Sequence, residues 1–218
     1  EKEEEEEEVV EEDEASRAAR KREKAQRKKQ NRANKDREQE EELERERRAA
    51  GPSRRELEQA AMATRLAGHA PPLKVHEVPG DGHCLYRSVA DQIRRVRPDL
   101  HAWAKPSESA HEEVRAMCAA ALRSRRDVYE PFAELAAGED FAGYCARVEG
   151  SADWGGELEL RALADHLAVP ILVHRADAPE PLALGEGGGG APLRVSFHEH
   201  WLALGQHYNS VVPRGSEG

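Results

Sequence analysis

The sequence predicts an α+β domain in which a small sheet packs on helices, preceded by a charged segment. Several stretches between residues 84 and 167 place an apolar residue every three or four positions, as on one face of a helix. Three short strand-like runs, LRVSF, WLALG and YNSVV, lie together near the C-terminal end and predict an antiparallel sheet. Because the helices lie mostly before these strands, we expect an α+β fold.

Residues 1–50 form the charged segment. They are rich in Glu, Lys, Arg, Ala and Gln, which favour helix, and they contain neither proline nor glycine. Their only sizeable apolar residues are Val9, Val10 and Leu43. The composition is therefore coiled-coil-like, but it lacks the apolar a and d positions of a heptad seam. We expect either a solvated single helix or a disordered segment.

Charge is distributed unevenly along the chain. The net charge of −10 argues weakly against attraction of the whole protein to nucleic acid. Residues 17–35, in contrast, are almost wholly basic. This stretch predicts contact with RNA, a ribosome or an acidic partner, and the alternative is a solvated arm without a specific ligand.

Cysteine usage and apolar runs bear on location. Three cysteines cannot all pair within one chain, and their spacing matches no CxxC zinc pattern, which favours a reducing compartment. No apolar run approaches the roughly 20 residues of a membrane span, and the acidic start is unlike a signal peptide. We expect an intracellular, cytoplasmic protein, with the nucleus as a second location and no membrane contact. The first residue is Glu, which indicates a fragment.

Breaker residues predict where the domain begins. A Gly-Pro pair at 51–52 ends the charged segment, a short helix follows, and the glycine and prolines at 68–72 end that helix. We place the boundary there, which defines an N-terminal extension at 1–68, a folded domain at 69–213 and a tail at 214–218.

The folded domain is predicted to begin with a short strand, LKVHEV, and a helix that starts at Cys84. Further helices are predicted from Ser109, over EDFAGYCARV and over GELELRALADHLA, and ILV reads as a buried strand. The stretch APEPLALGEGGGGAPL is dense in Pro and Gly, so it predicts a flexible connection before the C-terminal strands.

Cys84 differs from the other cysteines in its position. It stands at a helix start, where free N–H groups and the helix dipole favour a thiolate and lower the thiol pKa. Gly80 and Gly82 precede it, and glycines allow backbone N–H groups to approach a substrate carbonyl as an oxyanion hole. Cys118 and Cys145 lie within apolar helical stripes and are predicted to be core thiols. These observations alone leave Cys84 as either a nucleophile or a core thiol.

A thiol nucleophile needs a base, and His207 is the best placed of the ten histidines. It lies in a strand-like run, where residues two apart share a face. His207 and Asn209 would therefore lie side by side, with Tyr208 on the opposite face. In this arrangement an amide oxygen accepts from one imidazole nitrogen while the other nitrogen faces a thiol.

Three motifs in this order resemble a known family. DGHCLYRSVADQ, WGGELELRALA and LALGQHYNSVV are similar to the ovarian tumour (OTU) family of cysteine deubiquitinases, in particular its OTU domain-containing protein 6 branch. The resemblance covers about residues 73–212. It implies a papain-like fold with a small, mostly antiparallel sheet between helices, and isopeptidase activity on ubiquitin conjugates or polyubiquitin chains.

The resemblance also assigns roles to residues. Cys84 matches the nucleophile and His207 the general base. Asp81, in the loop before the nucleophile, and Asn209, two residues after the base, are the candidates for the third member. Asp81 could organise the oxyanion loop instead of orienting the imidazole, and Asn209 is the physical favourite for that orientation.

Other positions near the motifs are candidates for loop and substrate contacts. Gly82 and His83 belong to the oxyanion loop, and His83 stands where many relatives have asparagine. By resemblance, Trp154, Gly155, Gly156 and Glu157 lie near the cleft and accommodate the narrow Gly-Gly tail of ubiquitin. The alternative for Trp154 is a core residue at a helix start.

The predicted chemistry needs neither a metal nor another cofactor. His198, His200 and His207 lie close in sequence, but no carboxylate or cysteine set completes a zinc site. The expected partners are ubiquitin, polyubiquitin and ubiquitinated proteins. Two alternatives remain open, namely a ubiquitin-binding module without catalysis and an RNA- or ribosome-associated adaptor that uses residues 17–35.

Overall fold

A computed structural model describes residues 2–100, 109–186, 189–202 and 205–216. The protein divides into two units, residues 1–53 and 54–218. The first unit contains one long helix, α1 (Lys2–Ala50). Every side chain described between residues 24 and 46 is exposed, as a helix made of charged residues without an apolar seam requires. Of the two expected states of this segment, the structure has the single helix.

The second unit contains the remaining elements, interleaved as helices and strands. In chain order they are α2 (Arg54–Ala67), β1 (Leu73–His76), α3 (Cys84–Val96), α4 (Ala110–Ser124), α5 (Arg126–Tyr129), the 3-10 helix Glu130–Phe132, α6 (Phe141–Gly150), α7 (Glu157–Leu167), β2 (Ile171–Arg175), β3 (Leu182–Leu184), β4 (Leu193–Leu202) and β5 (Gly205–Pro213).

The five strands form one sheet in the order β1-β5-β4-β2-β3. β2 and β4 run parallel, and the other three neighbouring pairs run antiparallel. The predicted α+β class with a mostly antiparallel sheet is thus confirmed. β3 was not predicted, because its residues lie in the Pro- and Gly-rich stretch, yet Ala183 pairs with Leu172 of β2.

The C-terminal strands are longer than the sequence predicted. LRVSF and the first residues of WLALG belong to one strand, β4, and YNSVV lies within β5. A separate WLALG strand is therefore wrong, and its residues 203 and 204 lie outside the described part of the chain. The two strands pair Ser196 with Asn209 and His198 with His207, which brings His207 and Asn209 into the sheet.

Two apolar clusters hold helices on the sheet. The larger one buries α3, α4, α6 and α7 against the strands and includes Cys118 and Cys145. The smaller one packs Met62 and Leu66 of α2 against Leu73 and Val211. Because of this packing α2 belongs to the second unit, whereas the predicted boundary at residue 68 assigned it to the extension.

Candidate active site

The loop before α3 contains one position, residue 82, where the backbone conformation and the space available fit only glycine. Gly82 has a φ of +83°, and a Cβ there would lie 2.2 Å from the carbonyl oxygen of Ala152. The loop therefore packs backbone to backbone against the segment that precedes α7. This contact brings the residues before Cys84 next to the residues before Trp154.

Asp81 is held by its own loop and by α3. Its Oδ1 accepts from the N–H of His83 at 3.1 Å, and its Oδ2 accepts from Arg87 Nε at 2.9 Å and from the Arg87 NH2 group at 2.7 Å. Burial acts to raise the pKa of Asp81, but the hydrogen bonds from Arg87 and His83 outweigh it and lower the pKa. The side chain thus ties the loop to the helix that carries Cys84.

Cys84 is the first residue of α3 and is partly exposed, whereas Cys118 and Cys145 are fully buried. The backbone N–H groups of Tyr208 and Leu85 lie near its sulfur and act to lower the thiol pKa. Burial outweighs them, so the pKa of Cys84 is raised. The lowered pKa expected from the helix start is therefore wrong for this state of the protein, and the thiol needs a base.

The raised pKa predicts how Cys84 reacts with a small electrophile. We expect its alkylation by iodoacetamide to accelerate as the pH rises through neutrality, because only the growing thiolate fraction reacts. Mass spectrometry of the labelled protein measures the rate, and Cys84→Ala provides the background from the two buried thiols. A rate already at its plateau in mildly acidic buffer would contradict the prediction, since it would indicate a preformed thiolate.

His207 lies in β5 with its ring orientation set by two acceptors. Its Nε2 is 3.1 Å from Asn209 Oδ1 and 3.2 Å from the carbonyl oxygen of Val78. A carbonyl oxygen can only accept, so Nε2 carries the proton and Nδ1 of the neutral ring has the free lone pair. Burial lowers the pKa of His207, which keeps the ring neutral and ready to accept a proton.

Asn209 is fully buried, and its amide orientation follows from a second contact. Its Oδ1 accepts from the N–H of Val78 at 3.0 Å, so the oxygen and not the nitrogen faces His207. One oxygen therefore accepts from both the backbone and the imidazole. The hydrogen bond to His207 is made by Asn209, whereas the contacts of Asp81 are to Arg87 and His83.

Strand β5 brings the residue next to His207 close to Cys84. The backbone N–H of Tyr208, the residue after His207, lies near the Cys84 sulfur and favours its thiolate. Asp81 contributes to the electrostatic environment of both the thiol and the imidazole. The structure thus brings together Cys84, His207, Asn209 and Asp81 from β5 and from the start of α3 with its preceding loop.

A buried arginine that the sequence analysis did not select holds the oxyanion loop. Arg115 of α4 is 1% exposed, and it donates to the carbonyl oxygen of Gly82 at 3.0 Å and to His83 Nδ1 at 2.9 Å. Its guanidinium also donates to the backbone oxygens of Val148 at 2.8 Å and Asp153 at 2.7 Å. One cation therefore joins the loop before Cys84 to the segment before Trp154.

The hydrogen bond from Arg115 also determines which nitrogen of the His83 ring carries the proton. Because a guanidinium only donates, His83 Nδ1 accepts and the neutral ring carries its proton on Nε2. Burial, the Arg115 charge and nearby His111 lower the pKa of His83. The lone pair of the His83 ring thus accepts from Arg115, so this ring has no free nitrogen with which to accept a proton from Cys84.

The segment 154–157 borders a cleft of about 890 Å³. Trp154 is 55% exposed, so it is not the core residue of the alternative prediction. A Cβ on Gly155 would lie 2.8 Å from the Tyr86 hydroxyl, and Gly156 donates its N–H to Glu159 at the start of α7. Gly155 is therefore needed for close packing beside Trp154, whereas a Cβ on Gly156 would meet its nearest atom only at 3.7 Å.

The cleft adjoins the catalytic candidates without containing them. Its lining includes Glu157 and Gln206 but neither Cys84 nor His207. Tyr208 lies between the two regions. Burial raises its pKa most, and the nearby Cys84 on one side and carboxylates of α7, including Glu157, on the other raise it further. The predicted substrate segment and the predicted nucleophile thus lie on neighbouring parts of one surface.

Among the described residues, no group of histidine, cysteine and carboxylate side chains has the arrangement of a metal site. His198 instead contacts Ser196 Oγ through Nε2 at 2.9 Å, and burial lowers the pKa of His198 to about 4. No helix in the described part of the chain is both long and apolar enough to span a membrane.

A cysteine at a helix start, near a histidine that is hydrogen-bonded to an asparagine, on an α+β fold is the arrangement typical of cysteine hydrolases of the Cys-His-Asn type. The model of OTU-like cysteine proteases matches residues 79–208. This chain belongs to that family.

Individual relatives agree with the family. The human protein Deubiquitinase OTUD6B is 33% identical over 164 residues, which cover 72% of this chain and 52% of that protein. The chain thus spans about half the length of this relative. The solved OTUD1 OTU domain aligns with a TM-score of 0.51 at 21% identity, over 72% of this chain and 95% of its own. A solved h/ceOTUB1-ubiquitin aldehyde-UBC13~Ub structure aligns with a TM-score of 0.52 at 15% identity, over 71% and 83%. Both structures share the fold.

Proposed function

We propose that this protein is a deubiquitinating cysteine protease, which hydrolyses the isopeptide bond at the C-terminal glycine of ubiquitin in conjugates or polyubiquitin chains. The observation that supports it most strongly is the His207–Asn209 hydrogen bond at 3.1 Å in the strand whose Tyr208 backbone lies near Cys84. The human relative named a deubiquitinase and the solved relative with ubiquitin aldehyde support ubiquitin as the substrate.

The proposed reaction begins with proton transfer from Cys84 to His207. As Nδ1 of His207 takes the proton, the sulfur attacks the carbonyl carbon of the terminal glycine of ubiquitin. Backbone N–H groups of Gly82 and Cys84, at the loop and the helix start, stabilise the oxyanion, since the His83 N–H is donated to Asp81. The imidazolium then protonates the lysine amine as the C–N bond breaks, which leaves a thioester on Cys84.

Water completes the cycle in the proposed mechanism. His207 takes one proton from the attacking water, the C–S bond breaks, and that proton returns to the Cys84 sulfur, while ubiquitin leaves with a C-terminal carboxyl group that loses the second water proton to solvent. Asn209 keeps Nε2 of His207 in place throughout both steps. The proposed steps involve no oxidation or reduction, and they use only protein side chains, the substrate and water.

The segment 154–157 is proposed to receive the tail of ubiquitin. The exposed Trp154 offers an apolar surface beside two glycines that lack side chains. A Gly-Gly tail also lacks side chains, so it can lie close to such a backbone. Asp81 is proposed to hold the oxyanion loop through His83 and Arg87, while Asn209 orients the base.

Ubiquitin that carries a thiol-reactive C-terminal electrophile tests the proposal. We expect the folded protein to form a covalent adduct with one ubiquitin, since the probe places its electrophile where the thiolate attacks. Intact-mass spectrometry should show no adduct with Cys84→Ala and an unchanged adduct with Cys145→Ala, whose thiol is fully buried. A folded wild-type protein that stays unmodified would contradict catalysis and favour a ubiquitin-binding module, whose affinity would then be measured.

We also propose that α1 contacts RNA or a ribosome through residues 17–35, in the cytoplasm or nucleus. This stretch has ten Lys or Arg residues and one acidic residue, and its described side chains are exposed. Phosphate contacts weaken steeply with added salt. We expect the full chain to bind a single-stranded RNA in a salt-dependent manner, more weakly for Lys28→Glu/Lys29→Glu than for the control Glu40→Gln. Equal binding by both variants would contradict this role.

A further inference from the structure

The pairing of β4 with β5 is irregular at one place beside the candidate active site. The register shifts between His198 and Leu202. Such a bulge leaves backbone N–H groups without ladder partners. Two of them, from Glu199 and His200, donate to the carboxylate oxygens of Glu58 at 2.6 and 2.9 Å. A side chain of α2 therefore satisfies the bulge from more than one hundred residues away in sequence.

The residue that follows the bulged pair packs on the candidate base. Trp201 is 7% exposed, and its ring lies parallel to the His207 imidazole, with centroids 5.9 Å apart and an interplanar angle of 12°. The guanidinium carbon of Arg55, also on α2, lies 5.6 Å from the Trp201 ring centroid. Trp201 thus lies between α2 and His207.

Helix α2 is fixed to the sheet by apolar packing and by a hydrogen bond. Met62 and Leu66 are buried against β1 and β5, and Arg65 Nε donates to the carbonyl oxygen of Ala176 at 2.6 Å. α2 lies outside the residues 79–208 that match the family model. The contact of Glu58 with β4 therefore joins the matched segment to a helix that precedes it.

We infer that Glu58 is a positioning residue for the base of the proposed reaction. It holds the bulge of β4 in the register that lays Trp201 flat against His207. The hydrogen bond to Asn209 restrains one nitrogen of the imidazole, and the Trp201 ring restrains the plane of the imidazole. Together they keep Nδ1 directed at the thiol, and the tryptophan limits the access of water to the His207–Asn209 bond. This inference rests on the proposed function.

The test compares Glu58→Ala with the isosteric Glu58→Gln in the full chain. An amide keeps one acceptor but presents a donor to the second N–H, so we expect an intermediate effect. With ubiquitin carrying a fluorogenic C-terminal amide, Glu58→Ala should lower kcat by about 10- to 100-fold and leave KM within about twofold, as expected for a misplaced catalytic group. Glu180→Gln, an exposed acid before β3, is the control and should match the wild type.

A double-mutant cycle isolates the route through Trp201. If Glu58 acts through the tryptophan, Glu58→Ala should have almost no further effect on kcat in a Trp201→Leu background. Effects that multiply independently would overturn the inference, and so would a kcat that stays unchanged in folded Glu58→Ala. A thermal melt of each variant confirms that it is folded at the assay temperature.

Iodoacetamide labelling separates this inference from the proposed function, because it needs no ubiquitin. The pH dependence of Cys84 alkylation reports on the base beside the thiol, and we expect it to change in Glu58→Ala and Trp201→Leu alike. An unchanged profile in both variants overturns the positioning role. Absence of reaction with ubiquitin probes, together with changed profiles, overturns the proposed substrate and supports the positioning role.

Discussion

Replacement of His207 by alanine is expected to lower the kcat of the proposed isopeptidase by about 100- to 10,000-fold, the range lost with a general acid-base group. The loss is expected to be large because the pKa of Cys84 is raised by burial, so the thiol does not ionise readily without a base. The departing lysine amine would also lack a proton donor. Hydrolysis of ubiquitin with a fluorogenic C-terminal amide measures the effect.

The matched control is His166→Ala, which removes an exposed imidazole from the last turn of α7. It should leave kcat within about twofold of the wild type, since surface substitutions away from special contacts are mostly neutral. A loss below about fivefold for folded His207→Ala would refute its role as the base. His198, the neighbouring histidine across the hairpin, would then be the next residue to substitute.

Replacement of Arg115 by methionine is expected to produce the largest loss of stability. The apolar stem remains, but four acceptors around the guanidinium lose their donor: two backbone oxygens of neighbouring segments, the Gly82 oxygen and His83 Nδ1. The guanidinium also lies 4.0 Å from the Tyr86 ring centroid. Each unsatisfied buried group costs about 1–3 kcal/mol, and three of the four bonds are only partly buried, so we expect a total loss of about 3–5 kcal/mol.

Thermal denaturation measures this effect. A domain of this size loses about 2–4 °C in Tm for each kcal/mol, so the shift should be readily observed. The control is Arg123→Met on the same helix, where the pair with Glu149 is exposed and contributes less than about 1 kcal/mol. Equal Tm values for the two variants would show that the buried contacts of Arg115 do not hold the loop. In the folded Arg115→Met fraction we also expect slower adduct formation at Cys84, because the oxyanion loop loses its anchor.

The contacts of Asp81 and Asn209 distinguish the two candidates for the third catalytic member. Asn209 accepts from both the Val78 N–H and the His207 imidazole, which fixes the amide and the base together. Asp81 accepts from Arg87 and His83, which stabilises the loop that carries the oxyanion donors. In the proposed mechanism the two residues therefore support different partners of the reaction, the base and the oxyanion.

Much of the fold was predictable because local patterns repeat over many residues. The helix that starts at Cys84 shows Leu85, Val89 and Ile93 on one face, and all three are buried. Strand β3 and the short helix α5 were not predicted, since three or four residues carry too little periodicity. The sequence analysis divided β4 into two strands because WLALG by itself resembles an independent strand. The pairing register of β4 depends on contacts with residues that are distant in the sequence.

Sequence alone indicated the candidate nucleophile, the candidate base and its asparagine, because residue type, spacing within single elements and the resemblance to a known family all point to them. Only the tertiary structure decided which groups support them. Arg115 lies on the same helical face as Cys118 and Leu122, so a cation within an apolar stripe was the one signal available. Glu58 gave no such signal, since a surface glutamate acquires its role only when two distant N–H groups approach it. Contacts between residues far apart in the chain arise from packing of the whole domain, which local periodicity does not encode.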